Sequence, residues 1–201
     1  MKKALLLAAL ALSAGSAFAF PGFDPIYLPS ELKAIRADLG DKDLGQVKVS
    51  ELIPLAERLD VARQKDQFVA LAAGISMAWP GAGQFLAGDW GTGAVHTGVH
   101  LGVTAATLVW AHSLLPADLQ MNRLNYFGDS RSTIDAAWGS HSFNEFWPMI
   151  GALAAGGAVD LVLRAYSAHD AVDTARSRID AGKIEFSPRF DDGHFGLGMR
   201  Y

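Results

Sequence analysis

The sequence predicts a mainly α-helical integral membrane protein, and three observations carry that prediction. An almost uncharged apolar run extends from Phe68 to Leu115, with Asp89 as its only formal charge; it exceeds the roughly 20 apolar residues needed to cross a bilayer. The run is broken once, through Trp79-Pro80-Gly81-Ala82-Gly83-Gln84-Phe85-Leu86-Ala87-Gly88-Asp89-Trp90-Gly91, where proline and clustered glycine mark a turn between helices. A further apolar run starts at Phe146-Trp147-Pro148 and continues to about Leu163. The expected arrangement is a glycine-hinged membrane helical hairpin over 68–115 and a third long helix over 146–181, with an amphipathic N-terminal helix and a short C-terminal β-hairpin.

Taken in order, residues 1–19 have the layout of a secretory signal: Lys2 and Lys3, the apolar Ala4 to Leu12, then small residues closing on Ala17-Phe18-Ala19. Cleavage after Ala19 is expected, which places the protein in the cell envelope, the inner membrane favoured over the outer. Loss of Lys2 and Lys3 leaves 15 basic against 21 acidic residues, a formal charge of −6. That balance argues against a nucleic-acid partner. With no cysteine, disulfides, thiolate metal sites and cysteine nucleophiles are excluded.

Residues 20–67 form the segment ahead of the membrane. Phe20 to Pro29 carries three prolines and three aromatics and reads as extended; Ser30 is the expected N-cap of a short docking helix with Leu32, Ile35 and Leu39 on one face and Gly40 as its stop. Ser50 is the expected cap of a second helix, with Pro54 in its first turn and Leu52, Leu55, Leu59 and Ala62 at helical spacing. No turn signal separates Lys65 from Phe68, so this amphipathic helix runs straight into the first apolar segment. From Phe68 to Trp79 that segment is short for a crossing, and spans only if residues up to Leu86 contribute; otherwise it re-enters. Gly91 to Leu115 is long enough to cross, and presents Ala94, Gly98, Gly102 and Ala106 four residues apart, a small-residue stripe on which another helix can pack closely.

Residues 116–145 read as a polar loop with short helices. In the third long helix Pro148 suits the first turn, and Tyr166 to Asp180 keeps helical spacing with alternating charges, so the helix projects into water until Gly182. Over 182–201 the period becomes two: Ile184, Phe186 and Phe190, then Phe195, Leu197, Met199 and Tyr201, flank Asp191-Asp192-Gly193, a hairpin signal. The favoured arrangement has three crossings, the turn at Gly88 to Gly91 facing the cytoplasm, the loop Pro116 to Glu145 facing the periplasm and the tail, with its Arg and Lys residues, delivered into the cytoplasm; two crossings with a re-entrant 68–86 return it to the periplasm.

Pro80-Gly81-x-Gly83-Gln84-Phe85, followed by Gly88 and Gly93, resembles the glycine-rich turn of small bacterial envelope proteins. The layout is similar in the two-transmembrane-helix domain proteins and in the thirteen-kilodalton spirochaetal membrane-protein family regarded as porin-like. The likeness covers about residues 68–110, and more weakly 166–175; Phe85-Leu86 stands where the first group usually has Phe-Tyr. The resemblance implies channel activity. The residues themselves assign Pro80, Gly81, Gly83, Gln84, Gly88, Gly93, Gly98 and Gly102 to a tight turn and close helix packing.

Four polar groups lie within the apolar runs: His96 and His100, one turn apart, and Asp160 and Arg164, also one turn apart. The histidine spacing puts two imidazoles on one face and suits a metal, for which Asp160 or His169 is the candidate third ligand; interhelical hydrogen bonding is the simpler use. Asp160 and Arg164 can pair locally near the membrane boundary. No Gly-x-Ser-x-Gly elbow accompanies Asp135, Ser140 and His141, so no catalytic residue and no cofactor is expected. The expectation is a non-enzymatic envelope protein whose partners are the lipid bilayer and further copies of itself, assembling as a scaffold or porin-like pore; the alternative is a metal- or proton-handling membrane protein using His96 and His100.

Overall fold

The computed structural model describes residues 24–40, 48–187 and 199–200, and these are mainly helical. The elements are α1 (Tyr27–Leu39), α2 (Val49–Ala78), α3 (Ala82–Leu86), α4 (Trp90–Ser113), α5 (Arg131–Gly139) and α6 (Trp147–Asp180). Two 3-10 turns, Ala117–Leu119 and Phe143–Phe146, flank α5. Strands β1 (Glu185–Phe186) and β2 (Met199–Arg200) pair antiparallel, Glu185 opposite Arg200 and Phe186 opposite Met199. The leader over 1–19 and the Asp191-Asp192-Gly193 turn lie outside the described residues.

The short helix α1 starts four residues earlier than the Ser30 cap predicts, because its cap comes from another helix. Asp66 of α2, nearly buried, accepts from the backbone N–H of Ile26 at 3.0 Å, Tyr27 at 3.1 Å and Leu28 at 2.8 Å. Three otherwise orphan donors of a helix start are met by one carboxylate, where negative charge also suits the helix dipole. Ser30 instead donates to the Tyr27 carbonyl, and Gly40 closes the helix at φ 51°. Helix α2 is continuous through Lys65 to Phe68, as the missing turn signal predicts, but it begins at Val49, so Ser50 is its second residue and not its cap, and Pro54 lies inside it.

The long helix α6 is the spine. Ala152, Ser167, Ala171, Ala175 and Ile179 are buried along one face, with Gly156, Asp160 and Arg164 on the same track, three or four residues apart throughout. Phe68, Val69 and Ala72 of α2 cluster with Ala171, Ala175 and Ile179, closed by Ala87 and by Ile184 ahead of β1. The Phe186 ring meets Phe68 edge-on at 5.9 Å between centroids.

Helices α2 and α4 do not fold back on each other as the expected hairpin over 68–115 would. Both lie along α6 in the same sense. Phe68 sits among Ala175 and Ile179, and the Met77 carbonyl reaches Arg164; farther on, His96 meets Asp170, His100 meets Asp160, and Thr107 lies against Gly156. Between them α3 runs the other way, from Gly81 beside Ser167 to Gly88 near Arg178. The reason is two reversals in place of one: Gly81 at φ 95° and Gly88 at φ 80° each turn the chain through the left-handed region that glycine alone enters cheaply. The antiparallel pair is α4 with the first half of α6, joined through residues 114–146.

Candidate functional site

The residues singled out in the sequence converge where α2 ends, α3 turns back and α4 begins, all against the middle of α6. Helix α2 stops at Ala78 because Trp79, preceding a proline, takes extended angles (φ −139°, ψ 106°), and the buried Pro80 has no N–H to continue the ladder. Gly81 donates its N–H to the Ser167 hydroxyl at 2.9 Å, and Gly83 donates to the Ser76 hydroxyl at 2.7 Å. Ser76 donates in turn to the Gln84 carbonyl oxygen at 3.1 Å, while the Gln84 amide donates to the Ser167 carbonyl at 3.0 Å and to Asp170 at 2.9 Å. Ser76, Gln84 and Ser167 are fully buried, and this ring of bonds satisfies each of them.

The glycines of the motif are required by space. A Cβ on Gly81 would lie 2.3 Å from the Gly93 carbonyl oxygen; on Gly83, 2.1 Å from the Ala72 carbonyl oxygen; and on Gly93, 2.6 Å from the Phe85 ring. Pro80, Gly81, Gly83, Gln84 and Gly93 thus belong to one packed junction, which Thr97 closes by donating to the Pro80 carbonyl at 2.8 Å, whereas Gly88 has room for a Cβ and is called for by its φ of 80°. Gly98 and Gly102 do not join it. Nothing approaches their Cβ positions within 4 Å, and with Ala94 and Ala106 they lie exposed on α4. The close approach between α4 and α6 is made elsewhere, at Gly156, whose Cβ would meet Thr107 Cγ2 at 2.1 Å.

The four polar groups divide into two sets. Asp160 takes His100 Nδ1 on one oxygen at 2.5 Å and Arg164 Nε on the other at 2.6 Å; Arg164 also donates to the carbonyls of Met77 and Ala78. Arg164 thereby caps the C-terminus of α2, where unpaired carbonyls and the helix dipole favour a cation. The Trp79 ring stands edge-on to His100 at 5.6 Å, screening the pair. His96 turns to a different carboxylate, Asp170, at 3.1 Å, which links it through Gln84 to the turn. The two imidazoles therefore do not share a site. His169 is paired with Asp173 at 3.7 Å, and no group of three metal-ligating side chains converges among the described residues.

Beyond α4, His141 lies between two carboxylates, Nδ1 to Glu145 at 2.7 Å and Nε2 to Asp118 at 2.8 Å. These bonds raise the His141 pKa and lower that of Asp118; with the Ser142 amide and hydroxyl added, they draw Glu145 down to about 2. The result is an electrostatic staple between the 3-10 turn at Asp118 and the start of α6, and neither Ser140 nor Asp135 takes part.

Sequence reasoning missed Asp66, Ser76, Ser167 and Asp170, single polar residues inside helices whose partners lie on other segments. Gly156 was detectable: Ala152, Gly156 and Asp160 repeat every four residues, a small-residue track ending on the one carboxylate of the apolar run. Comparison with protein-family models, with curated proteins and with solved structures finds no match to the chain.

Proposed function

We propose that this is a non-enzymatic integral membrane protein of the cell envelope that spans the bilayer with α4 and the first half of α6. One observation carries the reading: Phe143–Asp180 contains an 18-residue apolar window that is only 6% buried, so its side chains are not a soluble protein's core. Val159, Leu161 and Val162 of α6, with Val95, Leu101, Leu108 and Val109 of α4, turn outward. Trp147 to Tyr166, both exposed aromatics, is about 29 Å at 1.5 Å per residue, close to the thickness of a hydrocarbon core. Within that span the formal charges Asp160 and Arg164 are spent on His100 and on the α2 terminus. The lipid-facing side is left apolar, as a low-dielectric solvent requires.

On this reading the membrane crossing is the α4–α6 pair, and residues 24–89 and 166–187 form one lobe beside it. Tyr27 bonds to Asp180 and Gln64 to the Ser187 carbonyl, so the beginning and end of the described chain share one side, and residues 114–146 occupy the other. With the leader removed, that shared side is the periplasm and the tail returns to it. The exposed stripe Ala94, Gly98, Gly102 and Ala106 is the face through which copies associate, as a scaffold or a pore. Carbonate extraction tests the anchor: the protein stays in the membrane pellet, and release without detergent would refute it. Gly98→Leu with Gly102→Leu tests the assembly and should disperse oligomers on native gels without unfolding the chain, since both positions are open; planar-bilayer conductance then separates pore from scaffold.

A further inference from the structure

We propose that residues 114–146 form an aromatic collar seated on the bilayer surface, with Phe127 and Phe143 in the headgroup region; this rests on the anchor reading above. The connection between the two membrane helices is long, and long connections ordinarily stand out into water. This one is pinned down over the end of α4. The Gln120 amide reaches back to the Leu115 carbonyl at 3.1 Å and the Ser113 carbonyl at 3.4 Å, and the Met121 N–H donates to His112 Nε2 at 2.9 Å. At its other end His141 ties Asp118 to Glu145, beside the first turn of α6. Both edges are therefore held at the level where the helices leave the apolar belt.

Among its exposed polar residues the loop also presents large apolar side chains. Phe127 is 96% exposed, and Met121 and Phe143 are about two-thirds exposed. Phe127 is carried on a tight turn in which several backbone donors are paired: the Asn125 side chain accepts from the N–H of Phe127 and Gly128, and Asp129 accepts from the Asn125 N–H. Those donors are paired before the aromatic leaves water, which removes the main cost of carrying backbone into the headgroup layer. Asp118 and Glu145 each bond to the one imidazole of His141, which offsets part of their charge. Phe143 meets the Trp147 ring at 5.6 Å, and Trp147 and Trp110 are themselves exposed near the helix ends, as in an interfacial aromatic belt. The occupant this surface fits is lipid at the boundary between headgroups and acyl chains.

The cysteine-free full-length chain permits a depth measurement. Single nitroxide labels at Phe127→Cys, Phe143→Cys, Val159→Cys and Ser177→Cys, in vesicles of phosphatidylethanolamine with phosphatidylglycerol, report collision with oxygen against a water-soluble nickel complex. Ser177 is exposed on the opposite lobe and serves as the aqueous reference; Val159 lies in the apolar belt. Each loop variant keeps the other aromatic; Phe127 is almost fully exposed, and Phe143→Cys gives up one edge-on ring contact, with Trp147 at 5.6 Å. The expected result is an oxygen-to-nickel ratio several-fold above that of Ser177 at both loop positions, and below that of Val159. Loop labels matching Ser177 while Val159 reads as hydrocarbon would overturn the collar alone and leave the face for a protein partner. A water-accessible Val159 label would overturn the anchor reading and the collar with it.

Discussion

Replacing Gly83 by alanine adds one methyl group where three segments meet, and the consequence can be worked from the packing. The new Cβ would lie 2.1 Å from the Ala72 carbonyl oxygen, 2.6 Å from Ser76 Oγ and 2.7 Å from the Ala171 Cβ, against an ordinary contact of at least 3.4 Å. The Ala72 carbonyl belongs to the backbone of α2 and cannot rotate away, so α3 must withdraw by about 1.3 Å. Withdrawal is blocked on the α6 side by Ala171, and it pulls the Gly83 N–H from Ser76 and the Gln84 amide from Ser167 and Asp170. Overpacking costs about 1–3 kcal/mol and each of the three hydrogen bonds about 1 kcal/mol net, giving a loss of about 4–6 kcal/mol. For a chain of this size that lowers the melting temperature by roughly 10 °C. The comparison variant is Gly98→Ala, which meets nothing within 4 Å and gains roughly 0.5–1 kcal/mol of helix propensity. Circular-dichroism melts in one detergent should show Gly83→Ala well below wild type and Gly98→Ala at or slightly above it. Coincident melts for Gly83→Ala and wild type would mean that α3 is not packed between α2 and α6.

Asp66→Ala removes the acceptor for three backbone donors at the start of α1 and should cost about 2–4 kcal/mol, localised so that amide exchange over 27–39 accelerates while α6 stays protected; uniform acceleration would contradict a local cap. The staple at His141 gives a pH dependence. Its raised histidine pKa contributes order that is complete below the ordinary 6.5 and is lost as pH rises through the higher folded value. The lowered carboxylates contribute order that is complete above their ordinary 3.8 and 4.5 and is lost as pH falls towards about 2 for Glu145. Residues 114–146 are therefore most ordered between 4.5 and 6.5, and NMR titration should show loop resonances broadening on either side in wild type but not in His141→Asn.

How much of this was legible follows from where each signal resides. Local chemistry read well: Gly40 and Gly182 as helix stops at positive φ, Pro148 in the first turn of α6, and the unbroken passage from Lys65 to Phe68. The glycine-rich break marks where the chain turns, but residue types do not count reversals. Gly81 and Gly88 each make one, and two reversals leave α2 and α4 parallel where one would make them a hairpin. The stripe at Ala94, Gly98, Gly102 and Ala106 was real in sequence, yet α6 packs on the neighbouring track through His96, His100 and Thr107, where polar side chains find partners, while Gly93 and Thr97 meet the turn at Pro80, Gly81 and Phe85. Small residues mark both faces, and only the partner helix distinguishes them. Gln84 was marked from its motif, whereas Ser167 and Asp170, more than 80 residues away in sequence, became its partners through tertiary folding alone.

The central claim is that α4 and the first half of α6 cross a membrane as a pair, with both ends of the described chain on one side. Single cysteines at Ser50, Ser132 and Ser187, all exposed, test it directly by labelling with an impermeant thiol reagent in intact spheroplasts. Ser50→Cys and Ser187→Cys are expected to label readily, whereas Ser132→Cys is protected until the membrane is permeabilised. Labelling of all three alike, or of Ser50→Cys without Ser187→Cys, would contradict it.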